Sequence, residues 1–522
     1  MRPGLLALLL ASCGSELEHV PLSDAVDTGS PPTGTTSEGV RFTGASTCDA
    51  PAAEPTWVEV GEAWGLSFTI LDDEIYGHQD GCGLAVADVN GDGQADVLST
   101  RMPGTVQQFL RDGDRFEPMT LPMPSGNGAL WIDVDGNGHV DLLMGGPMAF
   151  MLRATGTGEY RYENFPSLDG EGVATQSVVH DLSPGDYDLD GRLEIMLTRT
   201  ADIHDLGDWH NSRMLHIEPD GLGIERDAIP EEPGLRHGYD AVTFDMDGDG
   251  DLDAYVANDL GMNFGWSTLL RNDGGTLVDA QQDCMCGLPT AAKGVDVADV
   301  DADGQPELFV SGSPFNTLLS REDAGTWVDI TAISAASQLT EDATGWGGVF
   351  LDFDNDGHRD IVSAQGDRWN EAESWKAFDA PLQLLHQRVG VFVDRAQELG
   401  LTAMGSFRSV VALDMNDDGV EDFLFSQAAD RPLLFLSESC TAAHWIEVDA
   451  PVGARVEVTA GGRTQTDWVT LDSGYIATTL PRVHLGLGQT DVVDLIRVFL
   501  PGGEMLQAVG PIDARQRVIF PG

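Results

Sequence analysis

The stretch DVNGDGQAD, Asp88 to Asp96, lies between the apolar runs LAVA and VLST. Carboxylate or amide side chains occupy its first, third, fifth and ninth places and glycine its sixth, while both flanks read as strands. The form D-x-[DN]-x-[DN]-G-x-x-[DE] returns at Asp133, Asp186, Asp245, Asp299, Asp352 and Asp414, at intervals of 45, 53, 59, 54, 53 and 62 residues. Spacings of this size suit a four-stranded blade of about 40 to 50 residues. Seven motifs therefore predict an all-β chain built as a seven-bladed β-propeller, with each motif in the hairpin between a blade's first two strands.

Oxygen donors at loop positions 1, 3, 5 and 9, a carbonyl from position 7 and a glycine for the turn at 6 are what a hard cation with several oxygen ligands requires. Calcium, up to seven ions, is the expected cofactor. The expected ligand sets are Asp88, Asn90, Asp92, Gln94 and Asp96; Asp133, Asp135, Asn137, His139 and Asp141; Asp186, Asp188, Asp190, Arg192 and Glu194; and Asp245, Asp247, Asp249, Asp251 and Asp253. The remaining sets are Asp299, Asp301, Asp303, Gln305 and Glu307; Asp352, Asp354, Asp356, His358 and Asp360; and Asp414, Asn416, Asp418, Val420 and Asp422. An EF-hand would need Glu at position 12, where Ser99, Met144, Leu197, Val256, Val310, Ser363 and Phe425 stand instead. Asn90, Asn137 and Asn416 each replace a carboxylate, so occupancy is not expected to be uniform.

The chain has 522 residues, with 86 Asp and Glu against 28 Lys and Arg, a net charge of −58. Such a field repels phosphate backbones and anionic lipid, which sets aside nucleic-acid and polybasic membrane partners. A hydrophobic content of 42% places the acids in a folded frame. Arg2, the apolar run Leu5 to Ala11 and the tetrad Leu10, Ala11, Ser12, Cys13 read as a lipoprotein signal peptide over 1–12, with lipidation at Cys13. A Ser/Thr/Gly/Pro tether is expected over 13–47, the propeller over 48–440 and a small antiparallel β-domain over 441–522. The location this predicts is the bacterial cell envelope, at the outer membrane or cell surface, with the lipid anchor as the sole membrane contact.

The seventh repeat has three strands and then reaches Cys440, whereas TWVEVGEAWGL at Thr56 precedes the first motif. The N-terminal strand around Trp57 is expected to complete the last blade and close the ring. Cys48 and Cys440 flank that junction, which predicts a disulfide between them. Cys82, Cys284 and Cys286 are left between a local disulfide and buried thiols.

On the face opposite the calcium loops, two long connections carry His204, Trp209 and His210, and Trp369, Trp375 and Lys376. Six places before six of the motifs stand Cys82, Asn127, Tyr239, Lys293, Trp346 and Arg408, read as a ligand-facing ring or as ordinary strand-entry residues. The expected ligand-binding residues are His204, Trp209, His210, Lys293, Trp346, Trp369, Trp375 and Arg408.

The seven motifs resemble the FG-GAP or VCBS repeats of integrin α-type propellers. The tail, with GARVEVTAGGRTQ from Gly453, SGY at Ser473, RVHLGLG at Arg482 and LPGGE at Leu500, resembles the ASPIC and UnbV domain. DLDAYVAND at Asp251 and LLRNDGG at Leu269 are similar to the cartilage acidic protein family, and Ser183 to Gly185 reads as an insertion relative to that pattern. The resemblance implies calcium binding and suggests adhesion or scaffolding. The sequence has no G-x-S-x-G, H-E-x-x-H or P-loop motif. The reading is a monomeric, non-catalytic, exported module for an extracellular glycan or protein, and its alternative is a secreted propeller hydrolase or lyase acting on the face opposite the calcium loops.

Overall fold

The structure is a computed structural model that describes residues 35–44, 46–48, 51–67, 81–101, 105–124, 126–146, 150–156, 159–164, 178–200, 212–217, 223–226, 237–259, 266–322, 325–340, 343–366, 379–428 and 430–521. Each acidic motif joins the first and second strands of its own sheet, giving seven blades in chain order. The innermost strands are Gly81–Ala87, Ala129–Ile132, Val178–Gly185, Gly238–Phe244, Ala291–Ala298, Thr344–Leu351 and Phe407–Leu413. Each packs on the next, and the last packs on the first, so the ring is closed.

Each inner strand packs against sheets on both sides, which is why it reads as an apolar run: every residue of Gly238–Phe244 is buried. Apolar clusters fill the wedges between blades, such as Val349, Phe353, Leu384, Phe407 and Phe423 between blades 6 and 7. The inner-strand ladder shifts register near its entry in blades 1, 3, 4, 5, 6 and 7. Such bulges re-aim the residues at the entry. In blade 3 the shift falls between Val179 and Leu182, and Ser183 to Gly185 simply continue the strand; they are not an insertion.

Closure occurs as expected. Trp57–Glu59 pairs antiparallel with Leu433–Ser437 as the outer strand of blade 7. Trp57 is buried between Phe353 and Phe423, with ring centroids 5.7 and 5.0 Å away, and its indole N–H donates to the Glu421 carbonyl at 3.0 Å. Cys48 and Cys440 form a disulfide beside this junction, with Cα atoms 6.0 Å apart. Cys284 and Cys286 form a second, local one. Cys82 is buried.

The tail is a sandwich of two four-stranded sheets around Ile446, Val448, Val456, Val458, Leu485, Ile496 and Val518. It departs from expectation in two ways. Its sheet is not wholly antiparallel, since His444–Asp449 and Gln516–Ile519 run parallel. It also takes a strand from the stretch read as tether: Arg41–Phe42 pairs with Val518 and Ile519, and the Ser37 N–H donates to the Gln507 carbonyl at 2.8 Å. Composition hid this strand, because two residues among Ser, Thr and Gly carry no periodic signal.

Candidate functional site

One hydrogen-bond frame shapes all seven acidic loops. The position-6 glycine N–H donates to the position-1 carboxylate in every blade, from Gly93 to Asp88 at 2.8 Å through Gly419 to Asp414 at 2.7 Å. The position-7 N–H donates to the position-5 side chain in every blade, at 2.8 Å from Gln94 to Asp92 and 2.9 Å from Val420 to Asp418. Position 6 has φ between 83° and 96°, as its glycine allows. Position 4 also turns left-handed throughout, at Leu189, Ala302, Asn355 and Asp417 as well as three glycines. These paired turns curl the loop so that the side chains at positions 1, 3 and 5 face one another.

Position 9 reaches the same space from the base of the second strand. Asp96 is typical: one oxygen accepts the Val89 N–H at 3.0 Å and the other the Arg111 N–H at 2.7 Å, tying the loop to the third strand. Burial in the wedge between blades raises this carboxylate to about 6 at Asp96 and Asp141, about 7 at Glu194 and about 8 at Asp253. Ligand atoms of Asp133, Asp135 and Asp141, and of Asp245, Asp247 and Asp253, all lie within 4.8 Å of one another, a spacing one cation can span.

The loops differ in what stands beside them on the third strand. In blade 2, Arg153 places its guanidinium 2.6 Å from Asp135. In blade 3, His216 lies across from Glu194, its Nδ1 3.4 Å from Oε1, while Arg192 pairs with Asp190. In blade 6, His386 Nε2 lies 3.4 Å from Asp354. Sequence reading missed these three residues because they sit a dozen or more positions beyond the motif. The register, position 9 opposite one fixed third-strand place, would have found them.

The tail lies on the acidic-loop face. Its Gly486 N–H donates to Asp352 at 3.1 Å, His484 Nε2 meets the Asn355 amide oxygen at 2.7 Å, and Gly502 N–H donates to the Gly250 carbonyl at 2.8 Å. Arg359 of blade 6 forms a buried ion pair with Asp467. The loops of blades 6 and 7 are therefore largely buried, while those of blades 1, 2 and 3 are largely exposed.

From this domain a finger, Asp472 to Thr478, enters the central channel and touches every blade. Ala477 and Thr478 pair parallel with Leu84 and Ala85 of blade 1, and the Thr478 hydroxyl donates to the Ala129 carbonyl of blade 2 at 2.9 Å. Asp472 accepts from Ser183 of blade 3 at 2.7 Å, and Ser473 donates to the Val410 carbonyl of blade 7 at 3.1 Å. A Cβ on Gly294 of blade 5 would fall 2.7 Å from the Tyr475 nitrogen. The Tyr475 ring lies 6.0 Å from Tyr239 of blade 4 and 5.1 Å from Trp346 of blade 6. The SGY stretch of the tail is thus the plug of the propeller. Beside it, Asp181, Asp240 and Asp472 are buried together; burial first, then the charges of Asp181 and Asp472, holds Asp240 well above the usual carboxylate range.

At the channel's other end the strand-entry ring converges as a stack. Arg408 lies 4.1 Å over Trp346, Lys293 lies 4.9 Å from Trp346 and 4.1 Å from Tyr239, and His180 stacks on Tyr239 at 4.3 Å. His180, six places before Asp186, completes the ring and was hidden by reading Ser183 to Gly185 as inserted. Lys293 also pairs with Asp259 at 2.8 Å. All of these side chains are more than nine-tenths buried, so Lys293, Trp346 and Arg408 pack the channel wall instead of lining an open surface. His204, Trp209, His210, Trp369, Trp375 and Cys13 lie outside the described residues.

The FG-GAP-like repeat family matches residues 88–144, 245–310 and 352–425, and the ASPIC and UnbV family matches residues 449–520. Among solved structures, BBS1N in complex with ARL6DN, soaked with mercury, is similar at a TM-score of 0.44 and 10% identity, over 73% of this chain and 97% of that one. YCF48 bound to D1 peptide is similar at a TM-score of 0.40 and 10% identity, over 71% of this chain and 98% of that one. No curated protein matches the sequence.

Proposed function

For a chain that carries FG-GAP-like repeats in its propeller and an ASPIC and UnbV domain at its C-terminal end, we propose an exported, calcium-binding, non-catalytic module that presents an extracellular glycan- or protein-binding surface. The observation that carries the reading is the sevenfold recurrence of one loop frame, in which the side chains of positions 1, 3 and 5 face one another above a buried position-9 carboxylate. Carboxylates held this close repel one another and are stabilised by a shared divalent cation.

Bound cations would act here by holding the hairpins and, through blades 6 and 7, the surface on which the tail rests. Asp352 illustrates the coupling: one carboxylate receives Gly357 from its own loop at 2.9 Å and Gly486 from the tail at 3.1 Å. Export is supported by the two disulfides, which persist in oxidising compartments. Among the described residues no helix is long and apolar enough to cross a membrane.

The test is metal stoichiometry with thermal melts of the chain lacking residues 1–13, in excess calcium and then in chelator. Several tightly held ions and a melting temperature that falls on chelation are expected. A calcium-free protein whose melt ignores chelator would refute the reading.

A further inference from the structure

The blade 6 loop differs from the others in its donors. In the other six blades the position-2 N–H binds one oxygen of the position-9 carboxylate, as Val89 binds Asp96 at 3.0 Å and Met415 binds Asp422 at 2.9 Å. In blade 6 Asp360 Oδ1 accepts the Gln387 N–H at 2.7 Å, but Oδ2 is buried with no hydrogen-bond partner. His386, next to Gln387 on the third strand, is 1% exposed, and neither ring nitrogen makes a hydrogen bond. Phe353, edge-on at 4.9 Å, fixes the ring. Ligand atoms of Asp354, Asp360 and His386 all lie within 4.8 Å of one another.

Buried polar atoms are rarely left unmatched, and here an unmatched carboxylate oxygen and an unmatched imidazole meet at one point. Calcium selects oxygen ligands and gains little from imidazole, whereas zinc, cobalt and their neighbours accept imidazole and carboxylate together. We propose that the blade 6 loop is a transition-metal site, holding a zinc-class divalent cation through Asp354, Asp360 and His386. This rests on reading the acidic loops as cation sites and assigns this one a different ion. Blade 3 repeats the donor set with Asp188, Glu194 and His216, but there Glu194 also accepts the Tyr187 N–H at 3.0 Å and Arg192 lies on Asp190. Blade 6 is the stronger site. Asp356 stands exposed at the rim of the same loop.

The probe is cobalt(II), added to the full chain in millimolar calcium, with bound cobalt and calcium counted in the same sample and visible d–d bands recorded. Expected are cobalt retained against calcium, bands that zinc bleaches, and loss of this cobalt in both His386→Gln and Asp360→Asn, while His216→Gln keeps it. Complete displacement of cobalt by calcium in the unmodified chain, a measurement that needs no variant, would overturn the proposal. So would equal cobalt retention in folded His386→Gln. The two counts separate the readings: calcium bound without retained cobalt leaves calcium loops and removes this site, and retained cobalt without calcium does the reverse.

Discussion

The acidic loops of blades 1, 2 and 3 and those of blades 6 and 7 share one hydrogen-bond frame and sit in opposite surroundings. In blade 2, Gly136, Asn137 and Gly138 are exposed, and nothing lies within 4 Å of where a Cβ on Gly138 would stand. In blade 7 the matching Gly419 is buried, and a Cβ there would run into the Trp445 indole of the tail. The motif thus sets the local fold alone in one region and in the other also forms a docking surface. Identical sequence signals have unequal consequences because the tail covers only part of the ring.

Alanine at the two glycines should break this comparison most visibly. Both have left-handed backbone, φ 84° at Gly138 and 85° at Gly419, so each substitution costs about 1–2 kcal/mol in strain. Gly419→Ala adds overpacking against Trp445, about 1–3 kcal/mol more. Thermal melts should therefore rank Gly419→Ala well below Gly138→Ala, and proteolysis should release the tail first in Gly419→Ala. Equal melting temperatures would mean that the tail does not bear on the blade 7 loop.

Much of this arrangement was legible in the sequence. Seven motifs at blade spacing named the architecture, and the missing fourth strand before Cys440 named the closing strand at Trp57. The cysteine pair followed from that junction. What remained hidden depends on contacts between segments far apart in the chain. Tyr475 lies in a tail with no repeat signal, and only the docked structure shows it against Tyr239 and Trp346. Arg153, His216 and His386 needed the strand register. The strand-entry ring was seen as a pattern of changing chemistry, but burial decides that its cations and aromatics engage each other.

A pH series should sharpen the contrast between protein with and without cation. In chelator, burial holds Asp96 and Asp141 at about 6 and Asp253 and Asp299 at about 8, while Asp352 is brought to about 8 by burial and then by Asp356 and Asp354. Unfolded carboxylates titrate near about 4. Between these limits the folded chain holds more protons than the unfolded one, so stability in chelator should fall as pH rises from about 4 to about 8. Calcium replaces those protons, and its binding strengthens as they leave, so in calcium the slope should reverse. Glu447 opposes neither trend: burial alone would raise it, but Arg482, His484 and Arg517 hold it at about 2, and its contribution is lost only below about 4. Parallel slopes in calcium and chelator would contradict cation binding at these carboxylates.

The smallest expected effect probes the exposed side of the comparison. Arg153 already supplies a positive charge at Asp135, 2.6 Å away, in a loop whose position 5 is the neutral Asn137. With the pair only partly buried, solvent limits its strength to about 0.2–1 kcal/mol. Arg153→Ala should cost about that much stability in chelator and remove the charge that competes with an incoming ion. In a calcium titration the weakest class of sites should then tighten by a few-fold, while the site of blade 7, on the covered side, stays unchanged. The two changes have opposite signs, destabilising without calcium and strengthening with it, so a merely structural arginine would produce the first and not the second. An unaltered calcium isotherm would show that Asp135 takes no part in holding the ion.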